Sequence, residues 1–119
     1  MIHEYKMHSK QNDKALIKFA EIQTPPMSEA ARIKTGYLLR KLQQGEVLSM
    51  PQSRSMGTIG SNCHELRIPD EHVSWRVIYC IHSDAIVVLE IFSKKTGPTP
   101  KKIIETCRMR LKNYLDAIS

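Results

Sequence analysis

No stretch of this sequence approaches the roughly 18 consecutive apolar residues that a membrane-spanning helix needs. The opening Met-Ile-His-Glu-Tyr-Lys carries no apolar run of the secretory kind. Cysteine is scarce, and Cys63, Cys80 and Cys107 are odd in number, far apart and never part of a CxxC pair. That pattern suggests neither a disulfide framework nor a zinc knuckle, and each thiol is expected to be a small core residue, with a reactive thiol as the alternative. There is no HExxH, no phosphate-binding glycine loop, no GxSxG and no GxGxxG. Repeats and low-complexity tracts are missing as well. These absences define the expectation of a reduced, soluble, cytoplasmic protein with no cofactor, no metal and no membrane partner.

Acidic residues are the minority: 12 Asp and Glu stand against 18 Lys and Arg, for a formal charge of +6 and a pI of about 9.4. Such a balance favours a polyanion or an acidic protein as partner. The 119 residues, 41% of them apolar, suffice for one core, so residues 1–119 are expected to form a single domain.

Residues 12–44 read as two helices broken at Thr24-Pro25-Pro26, because proline interrupts a helix and biases its predecessor away from it. Leu16, Phe19 and Ala20 share a face of the first helix, and Ala31, Leu38, Leu39 and Leu42 form the inward stripe of the second. Ser28 suits its N-cap and Gly45 its C-terminal stop. Ile33 and Tyr37 fall on the other flank, where they either pack at a sheet edge or meet a partner. Residues 46–62, with Pro51, Gly57, Gly60 and several serines, read as a loop.

Three strands follow. Residues 64–68 alternate, with Leu66 and Ile68 opposed to Glu65 and Arg67; residues 74–81 place Trp75, Val77, Tyr79 and Ile81 together and turn Arg76 away. Residues 86–92 are almost continuously apolar, as a central strand is. Short turns between them suit antiparallel hairpins. Thr99 as N-cap and Pro100 at the first position open a last helix, in which Ile104, Cys107, Leu111, Leu115 and Ile118 recur at helical spacing. The expected fold is α+β in the order ααβββα: an N-terminal helical hairpin, a small antiparallel sheet of three or more strands, and a C-terminal helix.

The chemistry-bearing feature is the set of cations around that sheet. Arg67 and Arg76 leave adjacent strands on the face opposite the apolar residues, and Lys94 and Lys95 end the third strand. Gathered on one surface they suit a phosphate, whose transition state spreads negative charge over several oxygens. The plainer alternative is that each pairs with a carboxylate such as Glu65 or Glu90, or is solvated. His64 alternates onto the Leu66 side, either as a half-buried core histidine or as an acid or base. With no cluster of carboxylate or histidine ligands in the sequence, any nuclease chemistry is expected to be metal-independent.

The ordered combination Glu65-Leu66-Arg67, Trp75-Arg76-Val77-Ile78-Tyr79, Val88-Leu89 through Phe92-Ser93-Lys94-Lys95-Thr96, and Thr99-Pro100 with the closing helix resembles the HigB-like, phage-derived branch of the RelE/ParE toxin superfamily, over about residues 56–115. The resemblance implies the toxin of a type II toxin–antitoxin pair, a hydrolase that cleaves messenger RNA on the ribosome. It also implies a small HigA-like, helix-turn-helix antitoxin as protein partner. Arg67, Arg76, Lys94 and Lys95 would be the catalytic, phosphate-holding set, with Lys101 extending the RNA-binding surface. His64, Glu90 and Tyr79 would be the acid/base candidates. The sequence departs from the pattern at two places: His64 stands where the family carries a large aromatic, and Glu90 where it often carries a histidine. Glu90 either acts as a base, pairs with Arg76, or repels the substrate. A ParE-like gyrase inhibitor and a non-catalytic, RNA-binding decayed phage toxin are the alternative functions.

Overall fold

The computed structural model describes residues 2–5, 16–20, 22, 25–83, 85–94 and 97–119. Among them run the strands β1 (Ile2–Tyr5) and β2 (Leu16–Ala20), the helix α1 (Glu29–Gln43), and the strands β3 (Ser53–Ser55), β4 (Cys63–Pro69), β5 (Ser74–His82) and β6 (Ala85–Lys94). The helix α2 (Lys101–Ile118) closes the order. One sheet contains all six strands in the order β1-β2-β6-β5-β4-β3. Every neighbouring pair is antiparallel except β2 and β6, which run parallel from Leu16 beside Ala85 to Phe19 beside Val88.

The expected helical hairpin is therefore not formed, and the sheet is mixed, not antiparallel throughout. Leu16, Phe19 and Ala20 do fall at helical spacing, but a five-residue apolar run satisfies a strand equally well. The deciding interaction is non-local. β6 is apolar on both faces, and as an edge it would offer unpaired backbone groups along a hydrophobic strand. β2 covers that edge and buries Ile17 completely. Residues 12–15, part of the same expected helix, lie outside the described residues. The stretch expected to be a loop contributes the short edge strand β3.

Alternation divides the side chains between two cores. On one face α1 lays Ala31, Leu38, Leu39 and Leu42 over Leu66, Val77, Tyr79 and Val88. On the other, α2 sets Cys107 and Tyr114 against Cys63, Ile78, Cys80 and Leu89. All three cysteines are buried and free. Because a helix covers each face, β6 is buried continuously from Ala85 to Leu89.

Helix α1 is bounded by the residues that its sequence suggests. Ser28 Oγ accepts from Ala31 N at 3.0 Å and donates to Asp70 Oδ1 at 2.7 Å. At the other end Glu46 N bonds Lys41 O and Gly45 N bonds Leu42 O, with Gly45 at φ +90°, where a Cβ is strained. Helix α2 starts differently from expectation. Pro100 occupies the cap and has no side-chain group with which to bond it, while the Thr99 hydroxyl is engaged elsewhere.

A bulge interrupts the β5–β6 ladder: Tyr79 stands opposite Val88 but Ile78 opposite Glu90, so Leu89 is the inserted residue. Beyond it the alternation of β6 is reversed. Phe92 then faces the same side as Arg76, and Lys94 the same side as Ser74.

Candidate functional site

On the α2 face, where β3, β4, β5 and β6 end beside the start of α2, four cations surround one carboxylate. Arg54 stands opposite Glu65 in the β3–β4 ladder, and Arg67 directly opposite Arg76 in the β4–β5 ladder. Lys94 joins them because the bulge turns it to this side. Glu65 is fully buried and Arg76 is 6% exposed. Arg76 Nη1 lies 3.1 Å from Glu65 Oε1, and Arg54 Nε forms an ion pair with the same oxygen at 3.4 Å. Thr99 Oγ1 donates to Glu65 Oε2 at 2.8 Å, which is the bond that removes Thr99 from the helix cap.

One carboxylate cannot satisfy this many donors. Among the described residues, Lys94 Nζ and the Nε atoms of Arg54, Arg67 and Arg76 are buried without a hydrogen-bond partner. Buried donors of this kind are costly to keep unless an acceptor meets them. Among the described residues, four cations against this one carboxylate leave an excess of three positive charges. Lys94 registers the imbalance. Burial first, and then the positive charges of Arg76, Arg54 and Arg67, hold its ammonium below the usual lysine range, while Glu65 opposes them. Donors and positive charge gathered in this way are chemically suited to an oxyanion with several acceptor oxygens.

The other candidates occupy different places. His64 stacks on Tyr79 at 5.2 Å between ring centroids, and Tyr79 Oη is 2.8 Å from Ser53 Oγ. Both rings belong to the α1 face, so the sheet separates them from the cations. Burial pushes the His64 imidazole down and the Tyr79 phenol up. Glu90 is on the α2 face, where its partner is Arg110, at 3.2 Å, and not Arg76. Arg110 also donates to Leu89 O at 2.8 Å, clamping the bulge to α2. Lys101 is exposed at the start of α2, and Lys95 lies outside the described residues.

Arg54 and Thr99 are the members that sequence reasoning missed, whereas Glu65 pairs with Arg76 as the plainer alternative expected. The Ser-Arg-Ser alternation of β3 is the signal for Arg54, masked by the prolines and serines around it. Elsewhere, on the α1 face, an apolar pocket of about 460 Å³ is lined by Phe19, Ile22, Met27, Arg32 and Ile91 among others. Among the described residues no three His, Cys, Asp or Glu side chains converge as a metal site, and no helix is long and apolar enough to cross a membrane.

The architecture is thus a mixed sheet with a helix on each face and a cluster of four cations around one buried carboxylate at its end. The family model of phage-derived Gp49-like proteins (DUF891) matches residues 25–112, which span α1, the four strands that carry the cluster, and most of α2. The chain belongs to this family, which is a RelE/ParE-like toxin family. No curated protein matches the sequence.

Proposed function

We propose that this chain is the toxin of a toxin–antitoxin pair and acts as a HigB-like endoribonuclease on messenger RNA at the ribosome, countered by a small helix-turn-helix antitoxin. The observation that carries the reading is the convergence of Arg54, Arg67, Arg76 and Lys94 around the one buried carboxylate of Glu65. A phosphodiester fits their deficit in charge and in acceptors. In the reaction, the ribose 2′-hydroxyl gives up its proton to solvent, its oxygen attacks the adjacent phosphorus, and the bond to the 5′-oxygen breaks. The products are a 2′,3′-cyclic phosphate and a 5′-hydroxyl end. Arg67 and Arg76 hold the non-bridging oxygens and take up the charge that grows on them. Lys94, with its proton loosened, hands it to the departing 5′-oxygen. Glu90, neutralised by Arg110, does not repel the substrate.

The test is 5′-end mapping of cellular transcripts after brief induction, comparing wild type with Arg76→Ala. New 5′-hydroxyl ends within translated regions, absent in the variant, are expected. No new ends from a folded, expressed wild-type protein would overturn the nuclease reading, and inhibited DNA supercoiling in the same cells would replace it with a gyrase inhibitor.

A further inference from the structure

Glu65 is the buried group around which the cationic cluster is organised. It takes an ion pair from Arg54 on β3, an ion pair from Arg76 on β5 and a hydrogen bond from Thr99 just before α2. Three separately folded parts of the chain thus end on two oxygen atoms with no solvent exposure. A surface ion pair of this kind is dispensable, but a fully buried carboxylate flanked by three arginines and a lysine is not.

We infer that Glu65 is a positioning residue, a buried carboxylate that holds Arg54, Arg76 and the start of α2 in fixed relation and balances the charge around Lys94. This inference rests on the phosphodiester reading of the cluster. It assigns Glu65 no contact with substrate, because its oxygens are already occupied by protein donors.

Two consequences distinguish this role from simple structural support. The first is geometric. Arg76 meets Glu65 through Nη1, which fixes the guanidinium plane and leaves its Nε unpartnered. A bidentate or forked contact to phosphate depends on that plane. The second is electrostatic. The charged groups acting on Lys94 are Arg54 from β3, Glu65 and Arg67 from β4, and Arg76 from β5. Glu90, farther along the same face, is held by Arg110, and Lys101 and Lys102 are exposed at the start of α2. Among the described residues acting on Lys94, Glu65 alone favours its protonated form.

The experiment compares wild type, Glu65→Gln and Glu65→Asp in the full chain. The titration of Lys94 is followed by NMR of a carbon-labelled lysine side chain, and RNA cleavage is followed against pH. Glutamine keeps the shape and an acceptor oxygen but loses the charge. In Glu65→Gln, Lys94 is expected to lose its proton about one pH unit earlier than in wild type. The alkaline limb of kcat moves down with it. Aspartate keeps the charge and shortens the reach. Glu65→Asp is expected to leave the Lys94 titration in place while kcat falls at least tenfold, as a displaced Arg76 requires. An unshifted Lys94 in Glu65→Gln, or wild-type kcat in Glu65→Asp, overturns the inference. Should Glu65→Gln fail to fold, Glu65→Asp alone decides it by kcat. If wild type itself cleaves no RNA, the nuclease reading fails, while the Lys94 titration still tests Glu65.

Discussion

Arg67 and Arg76 face each other directly across the β4–β5 ladder, two like charges at one register position. Arg67 N bonds Gln52 O on the β3 side, so the pair is of the non-hydrogen-bonded kind, in which opposed side chains come closest. Like charges placed this way destabilise a sheet by about 0.2–1 kcal/mol. Arg67→Gln is therefore expected to raise the thermal midpoint by a few degrees and to weaken RNA binding. Thermal unfolding and filter binding on the same sample check both. A lower midpoint would show that the two arginines are not in conflict in the free protein.

A cluster with this much uncompensated charge binds a polyanion by releasing counterions. The affinity for single-stranded RNA is expected to fall steeply with salt, and neutralising Arg67, Arg76 or Lys94 singly should reduce the log–log slope by roughly 0.7–1. Neutralising exposed Lys112, which pairs with Asp116, should leave the slope unchanged. Fluorescence anisotropy across a salt series measures it.

Asp70 ties the start of α1 to the β4–β5 hairpin. Its carboxylate accepts from Ser28 Oγ and N, Trp75 Nε1 and Glu71 N. These bonds, the Ser28 hydroxyl first and then Trp75 and Glu71, hold its pKa well below the ordinary 3.8. A depressed carboxylate stabilises the fold above its unfolded pKa, and the contribution is lost as pH falls below about 4. Asp70→Asn is expected to flatten that acid limb. Denaturant unfolding at pH 6 and pH 3 tests it.

Cys107 is fully buried, and burial, reinforced by Glu90, pushes its thiol up to about 12. At pH 8 about one molecule in ten thousand carries the thiolate. In the native protein it should resist thiol reagents, and it should react promptly once denaturant is added. Mass-spectrometric labelling against time reads both states.

Much of this arrangement was legible in the residues, and the rest depended on partners far along the chain. The period-two alternation of β4 and β5 placed Arg67 and Arg76 on one face, and the caps Ser28 and Gly45 bounded α1. Local spacing misassigned β2, because Leu16, Phe19 and Ala20 suit a helix until β6 is there to pair with them. It did not reveal the face of Lys94 either, since the Leu89 bulge reverses the alternation between Val88 and the end of β6. Thr99 has the chemistry of a helix cap, and only the approach of Glu65 gives its hydroxyl a better acceptor. The homes of His64 and Tyr79 followed from alternation, but their exclusion from the cluster required knowing which face the cations share.

The β2–β6 pairing also sets an order of events during synthesis. Leu16 has its neighbour only when Ala85 has been made, and a contact of that separation closes slowly because its loop entropy is lost first. At ordinary elongation rates the delay is on the order of several seconds. Lys94 and Thr99 are made later still, so a nascent chain carries its arginines and Glu65 without the groups that complete their surroundings. The cationic cluster is complete only once Lys94 and Thr99 have been made, and α2, which follows them, then packs beside it on the same face of the sheet.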